Sequence, residues 1–217
     1  MIPLTYICPR KFTSLISSTI IEDLKRTAGS SLMIYFYFDF KDATKRDIRG
    51  LLSSLLIQLS DTSDICWTVL SDLYTSHRDG SDQPSEASLV QCLRDMLQSV
   101  PHTRIYIIVD ALDECPNTTG TPSPREKVLN FVEDLVGDQY PNLYLCVTSR
   151  LEQDIQIVLN PLTPISRCVS LHEEVGQRED INTYIRSFVD TDRAMRRWRV
   201  EEKQLVIDTL SERVDGV

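Results

Sequence analysis

Apolar and polar positions follow two rhythms along this chain, and the switches between them lay out its elements. Leu15, Ile16, Ile20, Ile21 and Leu24 recur at helical spacing, which predicts a helix over residues 14–27 that Gly29 ends. Leu32 to Phe38 is an unbroken apolar and aromatic run between Ser30-Ser31 and Asp39, as in a buried strand. Leu51, Leu52, Leu55, Leu56 and Leu59 mark an amphipathic helix from Thr44 to Leu59. Helices are expected over 65–76 and 85–100, on either side of the polar loop His77 to Pro84. A second buried strand, Ile105 to Val109, precedes a Thr-, Pro- and Gly-rich loop from Pro116 to Pro124 and a helix over 125–136. Leu143 to Val147 predicts a third strand and Arg167 to Leu171 a weaker one, followed by helices over 178–189 and 200–214. Strands alternating with helices predict an α/β fold, a mostly parallel sheet with helices on both faces.

Composition narrows this picture. A chain of 217 residues suits one sizeable domain. The formal net charge of −9 argues against nucleic acid and anionic membrane as partners, since both require a basic footprint. The local exception, Arg193, Arg196, Arg197 and Arg199 around Trp198, has Asp190 and Asp192 beside it and reads as a solvated helix end or a domain contact. Six cysteines lie far apart without metal-ligand spacing, as expected of core residues in a reducing compartment. No apolar run reaches the length of a membrane span and the first nine residues do not read as a signal segment, so the expected location is cytoplasmic.

Candidate chemistry lies at two strand ends. Asp110, Asp113 and Glu114 follow the Ile105 strand, and Thr148, Ser149 and Arg150 follow the Leu143 strand. A parallel sheet would bring both sets to its carboxyl edge, where open α/β folds bind ligands. Packed carboxylates repel unless they share a cation, and Mg2+ is a hard ion held by one or two carboxylates together with phosphates. An arginine able to sense a phosphate completes a phosphoryl-transfer kit. The blander alternatives are that Asp113 and Glu114 start a helix and that Arg150 makes a surface ion pair.

Ser18 to Leu24 (STIIEDL), Tyr35 to Phe40 (YFYFDF), Asp110 to Cys115 (DALDEC) and Val147 to Arg150 (VTSR) resemble the NACHT domain of signal-transduction NTPases. The closer likeness is to the nephrocystin-like subgroup found in fungal NOD-like receptor proteins. The resemblance implies a P-loop NTPase-type three-layer fold and an ATP- or GTP-binding switch with Mg2+ and ATP as cofactors. It assigns Asp110 and Ser14 to Mg2+, Asp113 or Glu114 to the attacking water, and Thr13, Ser14 and Arg150 to the nucleotide. It further implies self-association through this domain, with effector and repeat domains in the same polypeptide. The expected organisation is an atypical N-terminus over 1–13, a nucleotide-binding core over 14–190 and the start of a helical region over 191–217, with the fold incomplete at both ends and the first strand missing.

One motif departs from the family. The phosphate loop GxxxxGK[S/T] should fall on Ile7 to Ser14, where the chain reads Ile-Cys-Pro-Arg-Lys-Phe-Thr-Ser. Phe12 stands at a glycine position and Thr13 at the lysine position; of the motif's last three residues only the hydroxyl at Ser14 is kept. ATP hydrolysis is therefore left open, between a switch whose N-terminal residues are not the family's own and a scaffold of the same fold that binds no nucleotide. A metal-dependent hydrolase without a P-loop ranks below both, because no histidine or further carboxylate motif completes its site.

Overall fold

The computed structural model describes residues 3–8, 13–27, 29, 31–118, 120–164, 167–170, 183, 185–192, 195 and 198–213. Five strands, β1 (Leu4–Cys8), β2 (Leu32–Tyr37), β3 (Ile105–Asp110), β4 (Leu143–Thr148) and β5 (Cys168–Ser170), form one sheet in the order β2-β3-β4-β1-β5. The β2–β3, β3–β4 and β4–β1 pairs all run parallel. The helices are α1 (Thr13–Thr27), α2 (Ile48–Thr62), α3 (Asp64–Ser76), α4 (Glu86–Ser99), α5 (Pro124–Gly137), α6 (Gln153–Leu162) and, after a helical stretch over 185–191, α7 (Val200–Arg213). The α/β class and the P-loop-like three-layer arrangement read from the sequence are those of the molecule.

The layers follow from connection direction. From β1 the chain crosses to β2 at the far edge, whereas β2→β3→β4→β5 steps back the other way. Right-handed crossovers then put α1 on one face of the sheet and α2 to α6 on the other. Strand alternation agrees: Ile105, Ile107 and Val109 of β3 and Leu143, Leu145 and Val147 of β4 join one core with α2, α4 and α5. Residues of opposite parity, ending in Asp110 and Thr148, face the α1 side. Where two crossovers leave in opposite directions, a crevice opens at the carboxyl ends of the strands.

The structure departs from the sequence reading in three places. The expected missing first strand is present, because Leu4–Cys8 pairs with Leu145 to Thr148 of β4. Its five residues were too short a pattern to stand out. Helix α2 begins at Ile48, not Thr44, since the Asp47 carboxylate caps it by accepting from the Gly50 N–H at 2.9 Å. A 3₁₀ turn, Ala43–Lys45, fills the gap. The sequence reading does not include helix α6; Pro161, a helix breaker in local sequence, sits in its last turn, with only Leu162 of the helix after it. Of the helix expected over 178–189, residues 183 and 185–189 are described and helical, and the others lie outside the described residues.

Two compact units are present, 1–169 and 170–217. The first holds the core cluster, whose buried members run from Leu4 to Leu159. The second contains α7 and buries Val189 and Ile207.

Candidate functional site

Asp110 is the last residue of β3 and has no solvent exposure. Its Oδ1 accepts hydrogen bonds from Ser17 Oγ at 2.5 Å and from Thr148 Oγ1, while the Thr148 oxygen itself accepts from the Ala111 N–H at 3.1 Å. Three elements thus converge on one oxygen: Ser17 from α1, Asp110 from β3 and Thr148 from β4. The other oxygen, Oδ2, is buried and has no hydrogen-bond partner among the described residues. A buried carboxylate oxygen without a donor costs free energy unless a cation or a cation-bound water meets it. That oxygen, with two flanking hydroxyls, fits the donor set Mg2+ takes from a protein that supplies one carboxylate and leaves the rest to water and phosphate. Among the described residues no group of three or more His, Cys, Asp or Glu is placed to hold a metal.

Beyond Asp110 the chain turns sharply. Ala111 takes left-handed backbone angles, φ 54° and ψ 46°, an arrangement unfavourable for a residue with a Cβ by about 1–2 kcal/mol. This breaks the strand and starts a 3₁₀ turn over Leu112–Glu114. The turn drops Leu112 into the core and lifts Asp113 and Glu114 to the rim. They do occupy a helical turn, as the helix-start reading supposed, but a separate one, Leu112–Glu114, that is capped at Cys115 well before α5 begins at Pro124.

The two acids differ. The Asp113 side chain is 5% exposed and pairs with Arg150: Oδ1 accepts from the Arg150 N–H at 3.0 Å, and Oδ2 lies 3.2 Å from its Nε. Glu114 is half-buried, with a long contact of 3.4 Å from the Phe40 N–H to its Oε2. Arg150 itself is exposed. The strand ends paired in the sequence reading are therefore brought together, and the surface ion pair suggested for Arg150 is made to Asp113.

The loop holding these acids is fastened by a residue the sequence reading passed over. Arg125, in the first turn of α5, is 7% exposed in its side chain. Its Nε donates to the Cys115 carbonyl at 2.8 Å and Nη2 to the Asp113 carbonyl at 2.5 Å; Nη1 reaches Glu152 and, at 3.1 Å, Asp154. Burial works against its charge, but hydrogen bonds to Glu152 and Asp154 outweigh this and raise its pKa. Together with Phe40, Glu114, Asn117 and Arg150, it lines a cleft of about 300 Å3 beside the acids.

Of the other site residues read from the sequence, Thr13 and Ser14 begin α1, but their side chains lie outside the described residues, as do residues 9–12 of the phosphate loop expected over Ile7 to Ser14. Ser17 and Thr148 were missed as partners of Asp110. Ser17 is one helical turn beyond Ser14, so the three-residue spacing of a helix face carried a signal. Nothing local distinguished Arg125 from any arginine near a helix start.

The family model described as Nephrocystin 3, N-terminal, matches residues 13–150, from the start of α1 through β4 to Arg150. No curated protein matches the chain. The match covers more than half of the sequence, including Ser17, Asp110, the 3₁₀ acids, Arg125 and Thr148, and the chain belongs to the nephrocystin 3 N-terminal family.

Proposed function

We propose that this chain is the nucleotide-binding core of a NACHT-type signal-transduction switch of the NOD-like receptor kind, with Mg2+ and ATP or GTP held at the crevice around Asp110. The observation that carries the reading is the buried, unpartnered Asp110 Oδ2 at the carboxyl edge of a parallel sheet. Mg2+, when bound, supplies the charge that holds a triphosphate for in-line attack. The chain's own part is positional. Ser17 and Thr148 hydroxyls occupy one oxygen of Asp110 and so fix which of its oxygens is left for the crevice. One carboxylate of the 3₁₀ turn, Asp113 or Glu114, orders water, and Arg150 presents its guanidinium to phosphate.

The phosphate-holding half does not fit this role by sequence. Phe12 would crowd the backbone cradle and Thr13 brings no positive charge where a lysine is needed. That observation favours a second reading, a scaffold of the same fold that binds no nucleotide. Titration with a fluorescent ATP analogue and Mg2+ separates the two. The switch predicts micromolar binding that Asp110→Asn abolishes; no binding by the unaltered chain leaves the scaffold.

A further inference from the structure

We propose that Asp113 is the anchor that positions Arg150 rather than the group that activates water, that Arg125 holds this anchor in place, and that Glu114 is the carboxylate left for water. The inference rests on the nucleotide-switch reading for its consequence but not for its geometry. Both Asp113 oxygens are engaged by the same residue, one by the Arg150 main-chain N–H and one by its Nε. A carboxylate with both oxygens occupied by Arg150 has little room left to order a water. Among the described residues Glu114 makes only the long Phe40 contact.

The Nε contact also fixes how Arg150 is presented. Arg150 Nε lies 3.2 Å from Asp113 Oδ2 in an ion pair, and its side chain is 63% exposed. An exposed arginine held at one end is pre-organised for a phosphate at the other, so less rotamer entropy is lost when the ligand arrives.

Asp113 can only do this if its own backbone stays put. Arg125 grips the carbonyls of Asp113 and Cys115 and ties them to Glu152 and Asp154 at the start of α6. The same Arg125 thus links the loop that carries Asp113 to the segment that begins with Arg150. A lysine has the charge but cannot span carbonyls on one side and two carboxylates on the other.

The test uses this chain, free of nucleotide and 15N-labelled on arginine. A guanidinium Nε–H that is held gives a resolvable proton resonance near neutral pH, whereas a freely solvated one exchanges away. The Arg150 signal, assigned by its loss in Arg150→Lys, should persist in Glu114→Gln and vanish in Asp113→Asn and Arg125→Lys, with far-ultraviolet circular dichroism unchanged. Persistence in Asp113→Asn, or equal loss in Glu114→Gln, overturns the anchor; persistence in Arg125→Lys removes Arg125 from it. A second arm compares affinities for Mg2+·ATPγS and Mg2+·ADP. Asp113→Asn should cut the preference for the triphosphate by roughly tenfold, a typical coupling between sites, and Glu114→Gln should leave it unchanged. An unaltered chain that binds neither nucleotide overturns the switch reading, and the resonance arm then decides Asp113 by itself.

Discussion

Single residues at this site are set by what is left unpaired when one atom is removed. Thr148 both donates to Asp110 and accepts from the Ala111 N–H, all of it buried. Thr148→Val keeps the shape but leaves an N–H and a carboxylate oxygen short of partners. The expected loss is about 2–3 kcal/mol in urea denaturation, against a few tenths for Thr68→Val on the exposed face of α3. The thiols give a pH signature. Burial pushes Cys115 up to about 12, and burial reinforced by the Asp110 charge pushes Cys146 up to about 12, both from an ordinary 9.0. Folding therefore favours their protonated forms. Their contribution is fully present below pH 9.0 and is lost as pH rises towards 12, because there the unfolded chain holds fewer protons. Stability should fall between pH 9 and 11 by up to about 1.4 kcal/mol per pH unit for each thiol, and Cys146→Ala should remove one such slope from a series of denaturation curves.

Elements depend on close approaches that the hydrophobic pattern does not encode. Gly50 sits in the first turn of α2, where an added Cβ would lie 2.0 Å from the Thr44 carbonyl oxygen. That neighbour is backbone in the 3₁₀ turn over Ala43–Lys45 and cannot swing aside. Gly50→Ala, normally favourable in a helix, should instead destabilise by about 1–3 kcal/mol in thermal unfolding; unchanged stability would mean the turn gives way at no cost. Helix α5 shows the opposite case, a start written plainly in sequence. Ser123 and Glu126 make a reciprocal capping box with Pro124 at the first helical position. The helix was legible for that reason, whereas α6, with an uncapped start at Glu152 and a proline near its end, was not.

At the scale of the whole molecule, the first unit carries a large core cluster of its own among the described residues. Its buried members end at Leu159, and the partly buried residues packed on them at Leu162. A chain ending at Ser170 keeps all five strands of the described residues, so it should unfold in a single cooperative transition by circular dichroism. A broad, non-cooperative melt would show that the first unit needs the second.

Sequence by itself determined the strands β2, β3 and β4, their alternation with helices and hence the α/β class, because burial on both faces writes long apolar runs and amphipathic spacing into local sequence. It also marked Asp110, Asp113, Glu114 and Arg150, since acids directly after an apolar run stand out. Tertiary structure alone decided that Leu4–Cys8 completes the sheet, that Ser17 and Thr148 meet on one oxygen of Asp110 and leave the other bare, and that Arg125 ties Asp113 to the start of α6. The side-chain contacts among them join residues from 12 to 93 positions apart, and a pairing across such a distance is fixed by strand order and helix placement, which no local pattern records.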